Sequence, residues 1–142
     1  YNKDYYQDCL GIFNSNVPLF FYDSELFLFQ NYLSRKGISY YVLYGSNNQI
    51  VAAGGYAIEE NPNTIVLTWG MVNSKNHKQG YGSLLTEFRL KIISDKFPKS
   101  MVILNTSQKT FEFYKKFGFR LTDITRDYYG PGLDRYDMYQ NL

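Results

Sequence analysis

The residues best suited to chemistry lie in Trp69-Gly70-Met71-Val72-Asn73-Ser74-Lys75-Asn76-His77-Lys78-Gln79-Gly80-Tyr81-Gly82-Ser83-Leu84-Leu85. A β-rich apolar run leads into a polar loop with two glycines, and an apolar helical period begins directly after them. Glycines let successive backbone N–H groups converge on one point, and a helix N-terminus adds roughly half a positive charge there. The chemistry this predicts is anion binding, and a diphosphate fits it. Two other glycine-loop sites fail on residue identity. A P-loop needs Lys-Ser/Thr after its last glycine, whereas Ser83-Leu84 follows Gly82. A dinucleotide fingerprint needs a third glycine at the position that Leu85 occupies.

The elements that must position this loop follow from periodicity. Asn2 caps a helix whose apolar face is Tyr5, Cys9, Ile12 and Phe13, and an irregular stretch follows around Val17-Pro18. Asp23 or Ser24 caps a second helix with Leu26, Phe29 and Leu33 on one face and Gly37 as its stop. Residues 38–44 and 50–58 read as strands joined by Gly45-Ser46-Asn47-Asn48, and Gly54-Gly55 marks a bulge or a close approach by a ligand. Asn61-Pro62-Asn63 turns into a third strand over 64–72. The helix after the glycine loop carries Leu84, Leu85, Phe88 and Ile92 on its apolar face, with Glu87 and Arg89 on an exposed polar face, and ends at Phe97-Pro98. A fully buried strand over 101–104, a helix over 110–116 and a strand pair (119–125 and 135–139) around Gly130-Pro131-Gly132 complete the order. The pattern α-α-β-β-β-α-β-α-β-β, without linker or repeat, predicts one α/β (α+β) domain over residues 1–142 on a mostly antiparallel sheet.

Composition narrows the function classes. Of 142 residues, 44% are hydrophobic and 20% charged, a globular balance. A net charge of +2 with scattered Lys and Arg argues against nucleic acid, so the 15 Tyr and 11 Phe are read as core and as lining of an amphipathic pocket. Cys9 is the single cysteine, read as a small core residue; with one His it gives neither a disulfide nor a zinc site. No run is long and apolar enough to span a bilayer and no signal peptide is visible, so the expected setting is cytoplasmic.

Two segments carry a family resemblance. His77-Lys78-Gln79-Gly80-Tyr81-Gly82 resembles the Q/R-x-x-G-x-G/A loop of the GNAT acetyltransferase superfamily; both glycines match, and His stands where Gln or Arg is usual. Phe113-Tyr114-Lys115-Lys116-Phe117-Gly118-Phe119 resembles the family's L/F-Y-x-K-x-G-F segment. The closing stretch, residues 129–138, is similar to one bacterial subgroup. The resemblance implies a mixed sheet splayed between its fourth and fifth strands and flanked by about four helices, with the family's first strand expected before Tyr1. It implies acetyl-CoA (coenzyme A) as cosubstrate, no metal, and a small-molecule or peptide amine as acceptor, with neither nucleic acid nor membrane as partner; a homodimer is compatible with it.

The same resemblance places the contacts. Backbone of Met71 and Val72 pairs with pantetheine, and backbone N–H groups of Lys78, Gln79, Gly80, Tyr81, Gly82 and Ser83 hold the pyrophosphate. His77 makes a phosphate or ribose contact or is solvent-exposed. Asn105 or Ser107 occupies the position of a further cofactor contact. Tyr114 matches the Tyr that protonates the departing thiolate; the alternative is that its ring only packs. The general base is not visible: Glu25, Glu59, Glu60, Asp134 and Asp137 are each read first as solvated charges. Trp69 is core or a wall of the acyl pocket, and Tyr128 and Tyr129 offer an aromatic acceptor pocket. Two rival readings are a non-catalytic acyl-CoA sensor and an interaction module.

Overall fold

The structure, a computed structural model, describes residues 1–142. Its helices are Tyr6–Ser15 (α1), Leu26–Ser34 (α2), Tyr81–Lys96 (α3) and Phe111–Lys115 (α4). Its strands are Ser39–Tyr44 (β1), Ile50–Ile58 (β2), Thr64–Val72 (β3), Met101–Thr106 (β4), Arg120–Gly130 (β5) and Leu133–Asn141 (β6). They hydrogen-bond in the order β1-β2-β3-β4-β6-β5. β3 and β4 run parallel, whereas β1/β2, β4/β6 and β5/β6 are antiparallel. The chain forms two compact units: Tyr1–Ala57 with Leu67–Ile92, and Ile58–Val66 with Ile93–Leu142.

In the first unit Asn2 accepts the Asp4 N–H at 2.8 Å and opens a short turn into α1. Cys9, Ile12 and Phe13 of α1 and Phe29, Tyr32 and Leu33 of α2 are buried with Tyr40, Ala53 and Met71. Phe13 and Phe29 stack with ring centres 5.6 Å apart, and Phe29 lies 5.0 Å from the Trp69 ring. Each fully buried Phe contributes roughly 1.5–3 kcal/mol. The cap of the second helical segment differs from expectation. Glu25, not Asp23 or Ser24, supplies it: its Oε2 accepts the Tyr22 N–H at 2.9 Å from within the turn Asp23–Glu25.

The inner face of α3 differs from the one its apolar residues describe. Leu85, Thr86, Arg89 and Ile93 form its buried face, whereas Leu84 and Phe88 are 53% and 45% exposed. The glycines opposite supply the reason. A Cβ at Gly54 would lie 3.1 Å from Arg89 Nη1, and one at Gly70 would lie 2.8 Å from Nη2. The space a strand side chain would fill is given to an arginine. Gly54-Gly55 therefore marks no bulge, since the β1/β2 register runs unbroken through Tyr41↔Gly54 and Tyr40↔Gly55. Gly55 is needed because β1 lies so close that a Cβ there would meet the Ser39 carbonyl at 2.1 Å.

In the second unit β3 and β4 pair over three residues, Thr64↔Met101 to Val66↔Ile103. β4 is buried on one face only: Val102 and Leu104 are buried, while Met101 and Asn105 are exposed. The expectation of a fully buried strand therefore fails on alternation. The last hairpin is longer than the sequence implies, and Arg120 to Tyr128 of the edge strand β5 are all exposed.

Candidate functional site

The glycine loop sits in the first unit. β3 ends at Val72, a short 3-10 turn covers Ser74–Asn76, and α3 begins at Tyr81. Asn73 starts the turn by accepting the Lys75 N–H at 3.1 Å. Lys78 (φ 61°) and Gly80 (φ 87°) both adopt left-handed backbone, a conformation that costs glycine nothing. The Leu84 N–H bonds the Gly80 carbonyl at 3.1 Å as the helix opens, so the N–H groups of Tyr81, Gly82 and Ser83 precede the helical ladder. No N–H from Lys78 to Ser83 has a partner elsewhere in the backbone.

This loop fits the diphosphate of coenzyme A on three counts. Its donors are unpaired, a Cβ added at Gly80 would meet nothing within 4 Å, and no Asp or Glu stands between Glu60 and Glu87 in the sequence. Lys75 and Lys78 are exposed and add positive charge. Thr86 Oγ1 donates to the Gly82 carbonyl at 2.8 Å and fixes the first turn of α3 from inside.

His77 has a definite structural place. Its Nε2 lies 2.9 Å from the Val72 carbonyl, an acceptor, so Nε2 carries the hydrogen. Asn16 Nδ2 donates to the same oxygen at 2.9 Å. Both lone pairs of that carbonyl are thus used. The imidazole also meets the Phe20 ring edge-on at 5.4 Å.

The remaining predicted residues lie in the second unit. Ser107 is buried, its hydroxyl accepts the Lys109 N–H at 3.3 Å, and its carbonyl accepts the N–H groups of Thr110 and Phe111, both at 3.1 Å. It is engaged in the turn that starts α4. Asn105 is exposed and accepts the Tyr129 hydroxyl at 2.8 Å. Tyr114 on α4 packs its ring edge-on against Phe113 and Phe119, at 5.1 and 6.0 Å, and its hydroxyl has no partner in the chain.

The open face of β4 and β6 in this unit bounds a groove of about 630 Å³, with Met101 and Ile103 as apolar floor and Asn105, Asp123, Arg135 and Asp137 as polar lining. Arg135 Nε donates to Asp137 Oδ1 at 2.8 Å, and its guanidinium lies 4.8 Å from the centre of the Tyr128 ring. Tyr128 and Tyr129 stack edge-on at 5.2 Å beside this hairpin.

The carboxylates separate by surroundings. Asp137 is tied to Arg135, Asp134 Oδ1 accepts the Asp127 N–H at 2.9 Å, and Glu59 and Glu60 are exposed. Glu25 alone among the five is buried, and burial raises its carboxyl above the ordinary carboxylate range against the lowering effect of the Tyr22 N–H. Sequence reasoning grouped it with the solvated acids because nothing local reports burial. Arg89 was likewise missed; its only sequence signal is the glycines at 54, 55 and 70.

The family model described as "Acetyltransferase (GNAT) domain" matches residues 22–141, and the chain belongs to this family. It is an acyltransferase of the acetyl-transferring kind. Among solved structures it is similar to a ribosomal-protein-alanine N-acetyltransferase from Brucella melitensis, at 16% identity and TM-score 0.79, covering 100% of this chain and 97% of that one. An aminoglycoside 6'-N-acetyltransferase complexed with coenzyme A is similar at 13% identity and TM-score 0.76, covering 99% of this chain and 94% of that one. The ribosomal-protein-S18-alanine N-acetyltransferase from Escherichia coli is similar at 15% identity and TM-score 0.72, covering 95% and 86%. These likenesses concern the fold. No curated protein sequence matches the chain significantly. No helix is long and apolar enough to cross a membrane.

Proposed function

We propose that this chain moves an acetyl group from acetyl-CoA directly to a primary amine. The observation that carries the reading is the run of unpaired backbone N–H groups from Lys78 to Ser83, opened by left-handed Lys78 and Gly80 at the start of α3. Acetyl-CoA supplies a thioester, so a C–N bond forms as the C–S bond breaks, a proton leaves the amine, and another goes to the departing sulfur. The chain's own groups serve these needs in stated places. N–H groups of the loop hold the pyrophosphate, and backbone at Met71 and Val72 orients the pantetheine. Val72 is held in place by Asn16 and His77.

Tyr114 carries the proton for the sulfur, a role its unpartnered hydroxyl leaves open. Glu25 is the candidate base for the amine because it is the buried one of the five candidate acids, and burial raises its carboxyl toward the working pH. The test is release of free thiol from acetyl-CoA over a broad panel of amines. Turnover with at least one amine supports the reading. Tight coenzyme A binding with no turnover across the panel overturns the catalytic reading in favour of an acyl-CoA sensor, and no binding overturns both.

A further inference from the structure

Arg89 is a buried charge with no part in the steps above. It projects from the inner face of α3 and is 1% exposed. No Asp or Glu pairs with it; the ion pairs Lys115–Glu112 and Arg135–Asp137 involve other residues. Its hydrogen bonding is sparse. Nη1 donates to the Gly55 carbonyl at 3.3 Å, and Nε, fully buried, has no acceptor. A guanidinium keeps its charge under all ordinary conditions, so the first unit contains a buried cation without a counter-ion. Such a charge is destabilising unless something else selects it, and a leucine or methionine on this helix face would fill the space at lower cost.

The chain goes further than tolerating it. Glycines at 54 and 70 clear the space, and the side-chain position of Gly70 lies 2.8 Å from Nη2 and 2.9 Å from Nη1. The guanidinium therefore takes the side-chain space of β3 one residue before Met71. The same stretch of β3 is pinned by two tyrosines. Tyr40 donates its hydroxyl to the Trp69 carbonyl at 2.9 Å, and the Tyr32 hydroxyl bonds Thr68 Oγ1 at 2.8 Å. Trp69 itself has φ 40°, a left-handed turn inside the strand. Burial pushes the phenols of Tyr32 and Tyr40 up, and the charge of Arg89 pulls against that at both, so its field is felt around Thr68–Gly70. With no carboxylate to cancel it and little water to screen it, that field reaches the next residues of the strand.

We propose that Arg89 is a positioning residue for acetyl transfer: its uncompensated charge, set against Gly70, favours negative charge on a thioester sulfur and carbonyl bound along Met71 and Val72. This rests on the donor-site reading above. Preorganised charge of this kind stabilises a transition state without reorganising as it forms.

The test uses Arg89→Met, which keeps length and removes charge. Coenzyme A itself is the probe, and the thiolate absorbance of bound coenzyme A is followed against pH. In the wild type the bound thiol should ionise at lower pH than free coenzyme A. In Arg89→Met that difference should shrink by about one pH unit, a tenfold weaker preference for thiolate. Arg89→Lys should restore part of it, and kcat should follow while the KM for acetyl-CoA moves little. The melting temperature of Arg89→Met should stay level or rise, which a merely structural arginine would not allow. If Arg89→Met does not fold, Gly70→Ala displaces the guanidinium and should show the same shift. A wild-type protein that binds coenzyme A, with a thiol titration unchanged in the folded variant, overturns the role of Arg89 alone. A wild-type protein that binds no coenzyme A overturns the donor-site reading and this inference with it.

Discussion

His77 clamps Val72: its Nε2–H bonds the Val72 carbonyl at 2.9 Å, on an oxygen that Asn16 also reaches at 2.9 Å. The single histidine of the chain thereby ties the glycine loop back to the end of β3, and one ring nitrogen is engaged in structure. His77→Ala should therefore cost about 0.5–1.5 kcal/mol of stability, the worth of one hydrogen bond. Coenzyme A affinity should fall less than about tenfold, roughly 1.4 kcal/mol, because the proposed phosphate donors are backbone N–H groups. Denaturant unfolding and calorimetric titration check the two figures. Loss of turnover by several orders of magnitude with the cofactor still bound would make His77 catalytic instead.

Gly82→Asp should weaken coenzyme A binding by well over tenfold while the fold is kept. Gly82 lies in the first turn of α3, half-buried, and a carboxylate there sets negative charge against the diphosphate. Circular dichroism confirms folding, and titration with coenzyme A reads the loss. A folded variant with wild-type affinity would show that the diphosphate binds elsewhere.

Tyr114→Phe keeps both ring contacts, to Phe113 and Phe119, and removes a hydroxyl with no partner in the chain. Stability should stay within about 0.5 kcal/mol. If that hydroxyl protonates the sulfur, kcat should drop about 10–100-fold with coenzyme A affinity nearly unchanged. Pre-steady-state rates establish that chemistry limits turnover; a wild-type rate under that condition leaves Tyr114 as packing.

Glu25→Gln separates a base from a cap. The amide can still accept the Tyr22 N–H, so the helix entry should persist. The acidic limb of the kcat/KM profile should vanish along with most of the rate. Burial raises the Glu25 carboxyl, so in the wild type that limb should lie above the ordinary carboxylate range, with activity rising as pH rises through it. An unaltered profile in Glu25→Gln would reduce Glu25 to its capping role.

Cys9 should be inert. It is 0% exposed, and burial, with a smaller push from Asp8, raises its thiol to about 12. Native protein at pH 8 should resist thiol reagents, and labelling should track unfolding. The folded state holds the Cys9 proton more tightly than the unfolded state does. This contribution is complete below the unfolded thiol pKa of about 8.5 and is lost as pH rises from there toward 12, at up to roughly 1.4 kcal/mol per pH unit. Rapid labelling of folded protein, or stability that does not fall over that alkaline window, would contradict the burial of Cys9.

Much of the molecule could be read from the chain alone because the signals are local. The two glycines at 80 and 82 followed by a helical period fix a glycine loop that opens a helix, since backbone freedom and helical period act within a few residues. Alternation and turn residues located all six strands, and helical spacing located the inner residues Cys9, Ile12 and Phe13. What the sequence could not determine is which face of α3 turns inward. Its apolar residues at 84, 85, 88 and 92 describe one face, and burial selects another centred on Arg89. That choice depends on space left by Gly54 and Gly70, which are 35 and 19 residues earlier in the chain. The same holds for Glu25 and for the two bonds on the Val72 carbonyl, where the donors come from α1's C-terminal end and from the loop. Helical period and turn chemistry are short-range quantities, whereas burial of a charge and the partners of a carbonyl are decided only when distant segments meet.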